Sequence, residues 1–482
     1  MLLYFLLPVV AALQIPLSPY SHTQDYEFDA LIHLPGISPY FDAIGSGLAH
    51  KAPLGCKVTA ASYLMRHAAS ELLDPKENVD QALICDLFST ISFAHSPLVY
   101  ANDHDYETFM EPFLVKLNST FATASRRRLG WTGPLAFFET WETPIDDPDN
   151  QLEKITPSGV KDSKKVGKHL LDRYPELVPT TKRIYADKKS RTQDTAAAFV
   201  KVFPQKVEVV EINTTASFHS QIPHKSCKAF SKEPGDRELD IFLETYTAPI
   251  LTRILKYSPV PLVSTDIMGM QQMCGYESAI TGKKSKICDI FTDDEWMAYE
   301  YAWDLKYSYM VGHGNPLSPY LGFPWLNTTA HLMSKFHAPQ HSQKNPEVPG
   351  DDGQRFFLSF THREVPPFIA TALGLFNSSN SFAEEFPTDR INWSRSWRMA
   401  ELIPFLGHVG VELLTCNVED EDRQFIRVIA NTSPRPIPAC QDGPGATCSF
   451  DRFNDLVGAG MREYGDFDGV CKNGVDKEER EL

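Results

Sequence analysis

Several things this 482-residue chain lacks set its bounds. No CxxC pair and no Cys/His spacing of the zinc-ligand kind occurs, which argues against the zinc-finger classes. No internal repeat and no long low-complexity tract is visible, so repeat architectures are set aside. Beyond Leu13 no apolar run reaches the ~20 residues that a membrane-spanning helix needs. Basic residues are in deficit: 46 Lys and Arg against 62 Asp and Glu give a formal charge of −16, and such a surface repels nucleic acid over most of its extent. A small phosphorylated ligand stays compatible, because a local basic pocket outweighs a distant field that salt screens over about 8 Å.

What is present is the composition of a globular protein, 42% hydrophobic and 11% aromatic. The length exceeds one ordinary core, so roughly two to three domains, or one large domain with an insertion, are expected. The apolar block Met1 to Leu13 is too short to span a bilayer and reads as a secretory signal peptide, although no Lys or Arg precedes it. Its cut is expected between Leu13 and Pro19, with residues 1–18 assigned to it. The mature protein is then expected to be soluble, secreted and extracellular, with no membrane association after cleavage. Six sequons agree with export, at Asn118, Asn213, Asn327, Asn377, Asn392 and Asn431. In an oxidising compartment the nine cysteines imply four disulfides and one thiol left over.

A Pro-rich stretch to Pro53 reads as loop, and the apolar run Val58 to Met65 as a first strand that delivers Arg66 and His67. Residues 89–105 are polar and read as irregular. Thr156 followed by Pro157 opens a helix, with Val166, Leu170 and Tyr174 at spacing four as its apolar face. Arg183 to Ala186 reads as a short strand; Ser190-Arg191-Thr192 then leads into Ala196, Phe199, Val200 and Phe203, the i, i+3, i+4, i+7 pattern of a second amphipathic helix. Phe356 to Thr361 forms a third strand, ending at His362 and followed by a helix opened by Pro366-Pro367 that buries Phe368, Ile369, Ala372 and Leu373. Val411 to Thr415 and Phe425 to Ala430 read as two more strands, and the tail after Asn473 as disordered. Strands alternating with helices predict an α/β fold, a sheet with helices on its faces. Residues 216–338 lack period-two strands and predict an inserted, mostly α-helical cap region, flanked by the two parts of an α/β domain at 19–215 and 339–482.

In an open α/β sheet, ligands collect beyond the carboxyl ends of the strands, where helix N-termini offer N–H donors to anions. The three strand–turn–helix junctions place Arg66, His67, Arg191, His362 and Glu364 there. A phosphoryl group needs cationic donors around its oxygens, a nucleophile in line and an acid for the leaving alcohol. Each role has a candidate, so the combination points to phosphate-ester chemistry.

These segments resemble the histidine acid phosphatase family, in particular its secreted phytase-like branch, over nearly the whole chain after the leader. Arg66-His67 matches the start of the family's Arg-His-Gly-x-Arg-x-Pro motif. Ile155-Thr156-Pro157-x-Gly159 through Arg173-Tyr174 is similar to its Leu-Thr-Pro-x-Gly helix, and Ser190-Arg191-Thr192-x-Asp194-Thr195-Ala196 to its Ser-Arg segment. Ile287 to Trp296 and Gly314-Asn315-Pro316-Leu317 resemble further phytase segments, and Phe360-Thr361-His362 the second catalytic motif. The resemblance implies a histidine phosphatase fold, whose mixed sheet is largely parallel, with a mostly α-helical cap. It implies an acid phosphatase acting on phosphomonoesters, phytate and other inositol polyphosphates among them, with no metal or other cofactor. His67 would be the nucleophile that forms a phosphohistidine, and Arg66, Arg191 and His362 would hold the phosphate. The chemistry is sensible, because only imidazole, with an ordinary pKa near 6.5, keeps a neutral nucleophilic nitrogen in mildly acidic to neutral solution. The pairings implied are Cys56–Cys416, Cys227–Cys471, Cys274–Cys288 and Cys440–Cys448, with Cys85 left unpaired.

Three positions depart from the family pattern. Ala68 stands in place of Gly, where a methyl could crowd the substrate; Ser70 replaces the second motif arginine; and the usual His-Asp becomes His362-Arg363. Arginine does not donate protons, but Glu364 does, and His362-Arg363-Glu364 resembles the His-Ala-Glu of the inositol polyphosphate phosphatase branch. Glu364 is therefore assigned as the acid, and Arg363 as the cation that restores charge missing at Ser70. The competing function is a pseudophosphatase that binds phosphorylated ligands without turnover. Lys161, Lys164, Lys165 and Lys168 read as a solvated helix face, and His95, His104 and His313 as loop residues without metal-ligand spacing.

Overall fold

The computed structural model describes residues 28–43, 45–69, 106–124, 130–145, 154–212, 220–336, 353–377 and 385–473. Its centre is a mixed eight-stranded sheet built from β1 (Cys56–Arg66), β2 (Arg183–Ala186), β3 (Glu208–Glu211), β4 (Phe356–Thr361), β5 (His408–Val418), β6 (Glu421–Ala430), β7 (Ser433–Arg435) and β8 (Cys448–Ser449). The order is β3-β2-β4-β1-β5-β6-β7, with β8 on β6. The first four strands of that order run parallel; the pairings of β1 with β5, β5 with β6, and β6 with β7 and β8 are antiparallel. All three strand–turn–helix junctions lie in the parallel half. The hairpin β5–β6 runs past the apolar stretches that signal it, because its outer pairs, Val418 with Glu421 and Asn417 with Asp422, carry three polar residues out of four and are half-buried or exposed.

β1 is sandwiched. Ala60 and Leu64 face one core and Ala61, Tyr63 and Met65 the other, so this central strand reads as one apolar run rather than an alternation. The helices of eight residues or more among the described residues are α1 (Glu111–Ala124), α2 (Pro157–Arg173), α3 (Ser190–Val200), α4 (Asp236–Ile254), α5 (Ser264–Thr281), α6 (Asp293–Val311), α7 (Ser318–Ser334), α8 (Val365–Ala372) and α9 (Phe450–Tyr464). Val166 and Leu170 of α2 and Ala196 and Phe199 of α3 cover the Tyr63 face. On the Leu64 face, Phe242, Met270, Tyr301 and Leu321 of the helical insertion join Leu64, Val411 and Ile426 in one continuous hydrophobic cluster. Residues 220–336 are mostly helical, and they share their core with the sheet.

Local chemistry sets α2 against the end of β1. Thr156 caps the helix by accepting from the Gly159 N–H at 2.8 Å, Pro157 opens it, and the Thr156 N–H donates to the Ala69 carbonyl at 2.9 Å. A Cβ on Gly159 would lie 2.3 Å from that same carbonyl, which is the physical reason the Thr-Pro-x-Gly segment ends in glycine.

Four disulfides form, Cys56–Cys416, Cys227–Cys471, Cys274–Cys288 and Cys440–Cys448, the pairs the family resemblance implies. Cys85, Asn213, the leader and the tail lie outside the described residues. Among the sequons, Asn118 and Asn377 are exposed and Asn327 and Asn392 half-buried. Asn431 corrects the sequence expectation. It is fully buried in the turn after β6, accepts from the His408 N–H and donates to the Glu401 carbonyl, so no glycan fits there in the folded protein.

The Arg173-Tyr174 end of α2 is tied to the hairpin through Glu412, a fully buried carboxylate of β5. Arg173 pairs with it at 3.1 Å, Arg427 at 2.5 Å, and the Tyr174 hydroxyl donates to it. Burial alone would raise this carboxyl, but Arg173 and Arg427 outweigh burial and hold it below the usual carboxylate range. Glu412→Gln leaves the buried Arg427 and the partly buried Arg173 short of their counter-charge and is expected to cost about 3–5 kcal/mol in denaturant unfolding at pH 7. Because the folded-state pKa is lowered, the carboxylate's contribution is present above its unfolded pKa and fades as the pH falls through the folded value. The gap between wild type and variant should therefore narrow in acid.

Candidate active site

β1, β4 and β2 are adjacent and parallel, in register Arg66 with Thr361 and Ala186 with Phe360. The turns after these three strands therefore emerge at the same edge of the sheet. The ladder continues one step beyond the strands, with the His67 N–H donating to the Thr361 carbonyl at 3.0 Å and the Asp187 N–H to the Phe360 carbonyl at 3.2 Å. Arg66, His67, His362, Arg363 and Glu364 leave β1 and β4 here, and Arg191 enters from the first turn of α3. None of these six is more than 7% exposed, so their charges act in a nearly dry space.

His67 donates from Nδ1 to the Ala68 carbonyl at 2.8 Å. That bond fixes the tautomer and leaves Nε2 with its lone pair free for attack. Burial first, then the charges of Arg191 and Arg66 and the neighbouring His362, hold the imidazole well below its ordinary pKa, so it stays neutral in acid. Arg66 lies over the Phe405 ring at 4.4 Å and donates to the Ile403 carbonyl at 2.8 Å, while its buried Nε has no partner among the described residues. Burial, followed by the charge of Arg363, lowers its pKa to about 10, which leaves it cationic.

The rings of His67 and His362 meet edge to face, 5.7 Å between centroids. His362 donates from Nε2 to Asp187 at 2.7 Å and receives Arg191 Nη2 at Nδ1 at 3.4 Å. Burial drives its pKa down to about 4 against the opposing pull of Asp187. Glu364 stands at the N-cap of α8, with Lys232 3.3 Å away. Burial would raise its carboxyl, but Lys232, His224 and Arg363 together outweigh that and hold it well below the ordinary range. The Arg363 guanidinium sits over the Tyr307 ring at 5.8 Å. Gly36, at φ +78°, lets the N-terminal segment close against this pair, since a Cβ there would lie 2.7 Å from the Tyr307 hydroxyl.

The tertiary structure brings together all six side chains that the sequence nominated. Ser70 lies outside the described residues, and Ala68 is fully buried in the hydrophobic cluster that holds Met65 and Val166, with its N–H donating to the Thr195 hydroxyl at 3.0 Å. Four further residues were not foreseen. Asp187 follows β2, and His224, Lys225 and Lys232 come from the loop ahead of α4. Lys225 pairs with Asp187, Lys232 with Glu364, and the His224 ring lies 5.9 Å from that of His362, its pKa pushed down to about 3 by burial above all. The one signal for this loop was Cys227, whose disulfide to Cys471 anchors it. The lysines of α2 are exposed, and His313 donates to the Leu375 carbonyl on the far side of α8. Among the described residues the one His/Cys/Asp/Glu cluster of metal-binding dimensions is Cys440, Asp442 and Cys448, and its two cysteines are joined in a disulfide.

A neutral imidazole nitrogen, three guanidiniums and a carboxyl gathered in one dry space suit an incoming phosphate ester. Known proteins agree. An acid phosphatase of Komagataella pastoris is 27% identical over 479 residues, covering 95% of this chain and 89% of the relative, and a phytase of Candida albicans is 23% identical over 469 residues, covering 93% and 88%. The fold is that of the D. castellii phytase (TM-score 0.69, 20% identity, 92% of this chain and 88% of that one). It is also that of the Bifidobacterium longum multiple inositol polyphosphate phosphatase (TM-score 0.56, 13% identity, 88% and 97%). The model of the histidine phosphatase superfamily, branch 2, matches residues 74–431, and the chain belongs to that family.

Proposed function

We propose that this protein is a secreted acid phosphatase that hydrolyses small phosphomonoesters, inositol polyphosphates among them, through a phosphohistidine at His67. The observation that carries the reading is the His67 tautomer, with Nδ1–H spent on the Ala68 carbonyl and Nε2 bare beside Arg66, Arg191 and His362. Nε2 attacks phosphorus, the bond to the ester oxygen breaks, and Glu364 gives its proton to the leaving alcohol. Water then attacks the phosphohistidine, Glu364 takes the proton back, and the P–N bond breaks to release phosphate. A bound phosphate dianion opposes the pull of Lys232 and Arg363 on Glu364, which brings the carboxyl into its protonated form when the proton is needed. Inositol polyphosphates suit the added cations Lys225 and Lys232 at the site edge. The apolar leader, the sequons and four disulfides support export. The binding-only alternative rested on Ala68 and Ser70; the burial of the Ala68 methyl in the core and the likeness to acid phosphatases and phytases support turnover instead.

With a chromogenic phosphomonoester and inositol hexakisphosphate between about pH 3 and 7, turnover is expected, indifferent to chelator, and reduced more than about a thousandfold in His67→Ala. Ligand binding without turnover in the wild type would overturn the reading. Arg363→Ala should raise KM by about tenfold to a hundredfold, the range for a charge-assisted hydrogen bond; unchanged kinetics would refute its part in holding phosphate. Lys232→Met removes the nearest cation from Glu364, so the carboxyl pKa rises and the alkaline limb of kcat/KM should move to higher pH. A limb that stays put would mean that another group is the acid.

A further inference from the structure

We propose that Asp187 is a positioning residue that turns His362 into a cationic donor when an oxyanion enters the site. This rests on the phosphatase reading above and adds a residue that the sequence motifs did not nominate. Asp187 is fully buried, holds the Nε2–H of His362 at 2.7 Å and pairs with Lys225. Its backbone is fixed as firmly as its side chain: its N–H donates to Phe360, and its carbonyl accepts from the Thr192 hydroxyl at 2.6 Å and the Gln193 amide at 2.9 Å.

With Nε2–H turned to Asp187, the free site shows Nδ1 as a lone pair, and Arg191 Nη2 donates toward it at 3.4 Å. A phosphate oxygen cannot accept from a lone pair. Once Nδ1 gains a proton from solvent, its N–H and the Arg191 N–H converge on one point, which only an acceptor fills; an oxyanion oxygen is that acceptor. The imidazolium so formed needs a counter-charge on its other side, and Asp187 is in place. Burial would raise the Asp187 carboxyl, but the bond from His362 first and Lys225 after it outweigh burial and hold it below the usual carboxylate range. The groups facing His362 are Asp187 from β2, Arg191 from α3, His224 and Lys225 from the turn Pro223–Ser226, His67 from β1 and Glu364 from its own turn. All the cations among them oppose protonation of His362 in the free site, and the arriving dianion cancels that opposition.

Sulfate tests this without turnover, so failure here is separable from failure of the phosphatase reading. Its charge is constant from about pH 4 to 8, and its affinity can be followed by calorimetric titration at constant ionic strength. Wild-type affinity should fall as the pH rises. Asp187→Asn should weaken sulfate by roughly 10- to 100-fold at pH 5, the range for a charge-assisted hydrogen bond, and Asp187→Glu should recover part of the loss. In a His362→Asn background, Asp187→Asn should have no further effect. Equal sulfate affinity in wild type and Asp187→Asn, or a full additional loss in the double variant, overturns the proposal. Should the Asp187 variants not fold, 15N spectra of the wild-type histidines decide it. His362 should be singly protonated in free protein at pH 6 and doubly protonated with sulfate bound, and a neutral His362 in the sulfate complex overturns the proposal.

Discussion

The parallel pairing of β1 with β4 is the constraint on which the rest depends. Its register, Arg66 opposite Thr361, sets the two histidine-bearing turns side by side, and the added bond from the His67 N–H to Thr361 holds the first turn to the second strand. A slip of one residue would send every side chain of the slipped strand to the opposite face and part the two imidazoles. The sheet core resists such a slip because both faces of β1 are buried, Leu64 on one side and Tyr63 and Met65 on the other. The same packing that stabilises the strand thus fixes the distance between His67 and His362.

The edge so formed is electrostatically unfavourable when empty. Arg66, Arg191 and Arg363 converge in a space almost free of water, and the lowered pKa of Arg66 has burial as its first cause and the charge of Arg363 as its second. Charges set before the ligand arrives need little reorganisation during reaction, which is the usual source of strong transition-state stabilisation. Stability is supplied elsewhere. Glu412 with its two arginines, the shared core of insertion and sheet, and the Cys56–Cys416 link between β1 and β5 lie away from this edge.

The helical insertion reaches back to this edge. The loop that leads into α4 delivers Lys225 to Asp187 and Lys232 to Glu364, and its disulfide to Cys471 ties it to the C-terminal part of the chain. Lys232 is the first cause that holds the Glu364 carboxyl down against burial, and Lys225 adds to the larger effect of His362 on Asp187. The family's core chemistry sits on the parallel strands, while the protonation states are set by a segment remote from them in sequence.

The chain's own order of residues determined the elements and the first set of candidate active-site side chains. Apolar runs ending in Arg66-His67 and Thr361-His362, and the Thr156-Pro157 helix start, are local signals, and local propensity is enough to read them. Glu364 was legible for the same reason, two residues beyond a strand-end histidine. Asp187, His224, Lys225 and Lys232 were not, because an acid after a short strand and lysines in a polar loop look like any solvated residues until folding removes the water around them. Asn431 shows the reverse: a perfect sequon that the hairpin buries completely. Burial and the pairing of distant charges are properties of the packed chain, so the tautomer of His67, the ionisation of Glu364 and the Asp187–His362 contact were decided only by the tertiary structure.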